Sequence, residues 1–171
     1  MGLLKQAYID WYEENPVQNP VCVTFTEKQV LTSVHKHAGP IKTWINNQIA
    51  TQNFSHFLNL LNRKIFKNSY RRYNKKLQTF IVHENNKERN VRHHIHGFIE
   101  QPEWISDQDF DELMNKLFAK TLWGYRAHEF NRPDNNKGGE RGWLGYCLKE
   151  KKIKSDKDLW VDLENTYLKQ E

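Results

Sequence analysis

Two histidines separated by one residue, His94 and His96, are the sharpest chemical signal in the chain. They lie in His93-His-Ile-His-Gly-Phe-Ile-Glu100, a run that reads as a strand. Alternate strand residues point to the same face, so His94, His96, Phe98 and Glu100 share one side and His93, Ile95, Gly97 and Ile99 the other. Two imidazoles at that spacing can reach one metal ion. Glu84 ends the preceding strand-like run, Leu77-Gln-Thr-Phe-Ile-Val-His-Glu84, and a hairpin through the polar segment 85–90 brings it opposite the pair. His83 has the wrong parity and Glu100 lies a strand repeat past His96, which makes Glu84 the expected third ligand. Two imidazoles and a carboxylate with open coordination positions can hold Mn²⁺ or Mg²⁺ for phosphate chemistry, or a catalytic Zn²⁺.

Tyr146-Cys147-Leu148-Lys149 follows fifty residues beyond His96. On a helix, positions i and i+3 are neighbours, so Tyr146 and Lys149 face the same way. A phenol is a weak nucleophile near neutral pH, because it ionises only around pH 10 in water. A neighbouring ammonium favours the phenolate, and a metal on a target phosphate makes the phosphorus more electrophilic. Tyr70, Tyr73 and Tyr125 are rival nucleophiles. The first two sit in a basic run where stacking is the simpler use, and Tyr125 has no lysine three residues on.

That run spans residues 63–76 and holds seven basic and no acidic residues among fourteen. Its Arg63, Lys67, Arg71, Arg72, Lys75 and Lys76 suit phosphates, and Tyr73 offers a ring on which an unpaired base can stack. A second basic stretch contributes Lys151 and Lys152, although Glu150, Asp156 and Asp158 stand among its lysines. The alternative use of both stretches is a solvated surface.

The elements that must position these groups are legible as a pattern. Residues 3–14 carry apolar residues at helical spacing, and Pro16 and Pro20 end that element. Val21–Thr26 is a strand by composition. Residues 27–52 are ambiguous, with a break at Gly39-Pro40. Asn53 is placed to cap a helix carrying Phe54, Phe57, Leu58, Leu61 and Ile65. The two strands of the hairpin follow, then a helix opened by Ser106 and Asp109 in a capping-box-like start. A strand over 123–131, a helix around Trp143–Lys149 and a terminal helix complete the order. This predicts an α+β fold, an antiparallel sheet of four to five strands with helices packed on one face and the other free for a ligand. One domain covers 1–171, with an N-terminal extension to residue 20, a core over 21–152 and a C-terminal helix over 153–171.

The composition bounds the reading. The chain has 171 residues, a net charge of +5 and 13% aromatic residues, enough to fold without staples. No run approaches the roughly 20 apolar residues of a membrane span, and the first residues lack a signal-peptide stretch. Cys22 and Cys147 read as free thiols of a reducing, intracellular compartment, with no membrane partner.

His94-Ile-His-Gly-Phe-Ile-Glu100 followed by Tyr146-Cys-Leu-Lys-Glu150 resembles the second and third motifs of the HUH endonucleases, specifically the single-tyrosine rolling-circle replication initiators (Rep proteins) of viruses, phages and plasmids. Val23-Thr-Phe-Thr26 is similar to their weaker first motif. The resemblance spans about residues 21–152. The stretch 27–76 and the His96–Tyr146 gap are long for the family, and no Gly-rich nucleotide-binding loop of a helicase domain is present. The resemblance implies the nuclease fold with its ferredoxin- or RRM-like core. It implies a single-stranded DNA or DNA-hairpin origin as substrate, nicked by Tyr146 with Lys149 assisting and Glu84, His94 and His96 holding the divalent ion. The product is a 5′-phosphotyrosine that can be rejoined. It also implies a host polymerase and helicase as partners, in the cytoplasm of a prokaryote or the nucleus of a eukaryotic virus's host. Other readings stay open: a single-tyrosine HUH transposase, a zinc metallohydrolase, or a non-catalytic nucleic-acid-binding module on the same kind of sheet.

Overall fold

The computed structural model describes residues 3–35, 39–86, 91–149 and 160–169. Five helices and seven strands follow in the order α1 (Leu3–Glu14), β1 (Pro20–Glu27), β2 (Val30–His35), β3 (Gly39–Trp44), α2 (Asn47–Phe66), α3 (Asn68–Tyr73), β4 (Thr79–Asn86), β5 (Val91–Glu100), α4 (Asp107–Phe118), β6 (Gly124–Asn131), α5 (Gly139–Cys147) and β7 (Trp160–Val161). The main sheet is antiparallel with strand order β6-β1-β5-β4-β7, and β2 and β3 form a separate hairpin. The predicted α+β class with helices on an antiparallel sheet is what the chain forms. Among the described residues no helix is long and apolar enough to cross a membrane.

The period-two alternation of the central strands sorts the core into two clusters. Val21, Val23, Phe25, Ile81, Ile95 and Ile99 face α2 and α4, meeting Phe54, Phe57, Leu61, Phe110, Met114 and Phe118. Cys22, Phe80, Val82 and Phe98 face the other way, against Ile9 and Tyr12 of α1, Leu144 and Cys147 of α5, and Val161. The second face is therefore not free along its whole length. Phe80 and Phe98 expose too much apolar area to be left in water, and α1 and α5 cover them. Tyr12 seals the join. Its ring stacks on Phe98 at 4.8 Å, and its hydroxyl donates to Glu140 Oε2 at 3.1 Å at the start of α5. Only the part of that face beyond α5 is left for the histidine pair.

Three other elements differ from expectation. Residues 30–44, ambiguous in sequence, pair as the β2–β3 hairpin. The second helix begins at Asn47 rather than after Asn53. Asn46 caps it by accepting from Ile49 N at 2.9 Å, while Asn53 is buried within it, bonded to Glu27 Oε1 and Trp123 N. Of the terminal helix expected over 153–171, the described part, residues 160–169, is not helical: Trp160–Val161 adds to the sheet edge beside β4, and Tyr167 bridges to Thr79. The edge strand satisfies β4 backbone groups that would otherwise stay unpaired. Residues 150–159 lie outside the described residues. Cys22 and Cys147 are buried and free, as expected, and burial pushes the Cys22 thiol up to about 12.

The hairpin that carries the candidate metal ligands depends on Gly97. A Cβ there would lie 2.0 Å from the Phe80 carbonyl oxygen in β4, so any side chain forces the two strands apart. Gly97→Ala should cost about 3 kcal/mol or more, at the upper end of overpacking penalties. Gly145→Ala meets nothing within 4 Å and should be neutral or stabilise α5 by up to about 1 kcal/mol. Urea midpoints of the two variants check the contrast, and equal midpoints would contradict it.

Candidate active site

The β4–β5 register sets Glu84 directly across from His94, with Val82 across from His96. Glu84, His94 and His96 thus share a face, and one donor atom of each lies within 4.8 Å of the others. Glu84 Oε2 is 2.9 Å from His96 Nε2. His96 Nδ1 is 3.0 Å from Thr24 Oγ1, and Thr24 is its partner across the β1–β5 ladder. A threonine hydroxyl both donates and accepts, so it serves either imidazole tautomer, including the one whose Nε2 lone pair is free for a metal. His96 is buried, and Glu84 and His94 are half-buried. The hydrogen bond from His96 holds the Glu84 carboxyl down to about 2, helped by the charges of His96, Lys149 and His94. Burial, then the neighbouring His96, pushes His94 below the ordinary imidazole value and so toward the neutral form that ligates metals.

Tyr146 and Lys149 come from the end of α5. The helix stops at Cys147, and a bond from Lys149 N to the Tyr146 carbonyl at 3.1 Å continues the turn, so the i, i+3 relation survives past the helix end. A cation there also suits the negative end of the helix dipole. Lys149 Nζ lies 3.4 Å from the Tyr146 ring centroid and 3.9 Å from Glu84 Oε1. The ammonium therefore sits over the ring face and beside the carboxylate, not at the phenol oxygen. The Tyr146 ring meets His96 edge-on at 5.5 Å and remains 43% exposed, open to a substrate. The candidate metal ligands, the tyrosine and the lysine, read from segments up to 65 residues apart, are thus one cluster.

Sequence reasoning missed two members of this cluster. Trp143 stacks on Tyr146 at 5.0 Å and 18°, and its Nε1 donates to the Gly97 carbonyl at 2.9 Å, pinning α5 to β5. Its place three residues before Tyr146 was the available signal. Thr24 falls in the segment similar to the family's first motif, but its contact with His96 follows only from the β1–β5 register.

The rival ligands fall elsewhere. His83 faces the other side of the sheet, as its parity requires, and Glu100 accepts from Gln78 N at the far end of β5. Of the rival tyrosines, Tyr70 donates to Asn59 Oδ1, and Tyr125 packs under Arg92 at 5.3 Å.

The basic run is not part of the cluster. Arg63 lies in the last turn of α2, Lys67 links it to α3, and Arg71, Arg72 and the exposed Tyr73 close α3, beside the helix that packs on the opposite face of the sheet. Lys75 Nζ sits over Phe66 at 5.1 Å and Trp104 at 5.9 Å. Lys76 leads into β4, whose first residue, Thr79, is five residues from Glu84, about 17 Å along the strand. Lys151 and Lys152 lie outside the described residues. This separation predicts that neutralising Arg71, Arg72, Lys75 and Lys76 together changes nucleic-acid affinity without changing chemistry at the site. If all four meet phosphates of a single strand, the log–log salt slope should fall by about 2.8, at roughly 0.7 per contact, with turnover at saturating strand unchanged. An unaltered slope would make the run a solvated surface.

Compared with known protein families, curated proteins and solved structures, the chain matches none. The chemical reading of the cluster therefore rests on its own residues.

Proposed function

We propose that this chain is a metal-dependent single-stranded DNA nicking and joining enzyme of the HUH type, acting at a replication origin of the rolling-circle kind. The observation that carries the reading is the packing of Tyr146, with Lys149 above its ring, against His96 of the Glu84–His94–His96 set. The donor set fits a divalent ion such as Mn²⁺ or Mg²⁺, with Glu84, His94 and His96 as its ligands and Thr24 orienting His96. Such an ion, when bound, supplies charge stabilisation to a non-bridging phosphate oxygen.

The protein's own groups do the rest. Trp143 holds the Tyr146 ring in place, so its hydroxyl is presented rather than mobile. The phenol oxygen attacks phosphorus and loses its proton. The bond from phosphorus to the 3′ oxygen breaks, and that oxygen leaves as a hydroxyl. One phosphoester replaces another, so no nucleotide hydrolysis is needed, and attack by a 3′-hydroxyl reverses the exchange. Lys149, over the ring and beside Glu84, adds positive charge near the attacking phenol rather than at its oxygen.

The test is incubation of the chain with origin-like single-stranded oligonucleotides and Mn²⁺, read on a denaturing gel. A metal-dependent, protein-sized shift of the 5′-phosphate side of the break supports the reading. Binding of the same strands with neither break nor adduct would leave a non-catalytic binding module as the better account.

A further inference from the structure

Behind Glu84, His94 and His96, on the other face of the same strands, lies a second set of donors. His83 and His93 alternate with the first set along β4 and β5, and Glu27 closes β1. The side chains of Glu27 and His93 are 0% exposed and that of His83 is 1% exposed. One donor atom from each lies within 4.8 Å of the other two. Glu27 Oε1 accepts from Asn53 Nδ2 at 3.0 Å, so half of that carboxylate is satisfied. Its Oε2 lies 3.0 Å from His93 Nδ1, yet the two are not aligned as a hydrogen bond. Among the described residues, Glu27 Oε2, both His93 ring nitrogens and His83 Nδ1 have no hydrogen-bond partner. Orphaned polar atoms buried this deeply are rare in native proteins, and convergent ones rarer.

His83 adds the second observation. Its Nε2 is 2.6 Å from Asp162 Oδ2, which also accepts from Asn165 Nδ2 at 2.8 Å. A carboxylate that accepts a hydrogen bond from Nε2–H keeps that proton on Nε2, leaves Nδ1 with its lone pair and fixes the ring, the arrangement by which proteins orient metal-ligating histidines. Trp160 packs against the ring at 4.5 Å, tilted by 31°, and restricts its turning.

We propose that Glu27, His83 and His93 bind a second divalent ion, of the Zn²⁺ class, with a structural role. The donors are the same types as in the first set, but here all three are buried, which leaves no room for the several waters Mg²⁺ keeps and suits Zn²⁺ held by imidazole and carboxylate. The two carboxylates, Glu27 and Asp162, balance the ion's charge in a site with no water-exposed side chain. The ion ties β1, β4 and β5 together immediately behind the first donor set, and reaches the β7 segment through Asp162.

The test uses the chelator-stripped full chain carrying His94→Ala and His96→Ala, so that the first donor set is disabled. This protein should take up one equivalent of Zn²⁺ and show visible Co²⁺ absorption of a histidine–carboxylate site. Its thermal midpoint should rise by about 5–10 °C at Zn²⁺ a hundredfold above Kd. Adding Glu27→Gln and His93→Gln should remove all three responses. If those added changes prevent folding by circular dichroism, the Co²⁺ spectrum and midpoint shift of the His94→Ala/His96→Ala chain decide alone. No stoichiometric uptake and no midpoint shift in that chain would overturn the proposal, as would uptake that survives Glu27→Gln/His93→Gln. The result is independent of DNA cleavage, so failure of the proposed nuclease activity leaves it standing.

Discussion

His94→Ala and His96→Ala should each abolish single-stranded DNA cleavage, by about 10³-fold or more, while leaving most DNA affinity intact. The charge stabilisation that Glu84, His94 and His96 are placed to hold is worth several kcal/mol, and each 1.4 kcal/mol is a factor of ten in rate. Affinity for the strand comes mainly from cations meeting phosphates, which neither substitution removes. The two variants should differ in stability. His96 is buried and bonded to both Thr24 and Glu84, so its removal empties a packed position beneath Tyr146 and Trp143. His94 is half-buried, and its removal should cost the fold less, which makes it the cleaner probe. Thr24→Val keeps every ligand but removes the group that orients His96. It should raise the Mn²⁺ needed for half-maximal cleavage by about 10–100-fold, with activity returning at saturation. The measurement is cleavage rate against Mn²⁺ concentration for the three variants. Retained cleavage by both histidine variants at saturating Mn²⁺ would remove this face of the hairpin from the chemistry.

The donor set was legible because strand parity is a local property. His94, His96 and Glu84 could be placed on one face, and His83 on the other, from alternation and one hairpin, and the observed register agrees. The pairing of Tyr146 with Lys149 was legible for the same reason, since i, i+3 proximity needs only one turn. What parity cannot supply is the third dimension. Thr24 reaches His96 through β1, Trp143 reaches Gly97 from α5, and Glu27 joins His83 and His93 across three strands. Each contact depends on strand order, which a single sequence does not encode locally. The sheet's second face shows the same limit. Phe80 and Phe98 were on the histidine side by parity, and their size already required a cover, but the covering Tyr12 lies 68 residues before Phe80. The terminal segment misled for a physical reason. Trp160, Val161, Leu163 and Leu168 suit either element, and the deciding factor was the open edge of β4.

Tyr146→Phe should eliminate both the covalent adduct and the nick while leaving fold, metal uptake and strand affinity unchanged. The substitution removes one oxygen. The ring that stacks on Trp143, meets His96 edge-on and lies under Lys149 remains, so every contact described for this side chain is kept. Loss of chemistry in a protein with unaltered thermal midpoint would therefore report on the hydroxyl alone. Lys149→Ala should instead slow the reaction by about 10²–10⁴-fold, the range of an assisting group, because the proposed nucleophile and the proposed metal ligands both persist. Its ammonium lies over the ring centre and 3.9 Å from Glu84, so its loss should also weaken the hold on that carboxylate and raise the Mn²⁺ requirement. A proton-transfer role confined to the phenol would change the rate with no such shift. Duplex DNA of the same sequence should react poorly, since an unpaired strand reaches a phosphate site between α5 and the sheet more readily than a stiff duplex. Peptide mapping of the wild-type adduct decides the assignment: attachment at Tyr146, whose ring meets His96, is the expected result, and attachment at Tyr70, Tyr73 or Tyr125 would overturn it.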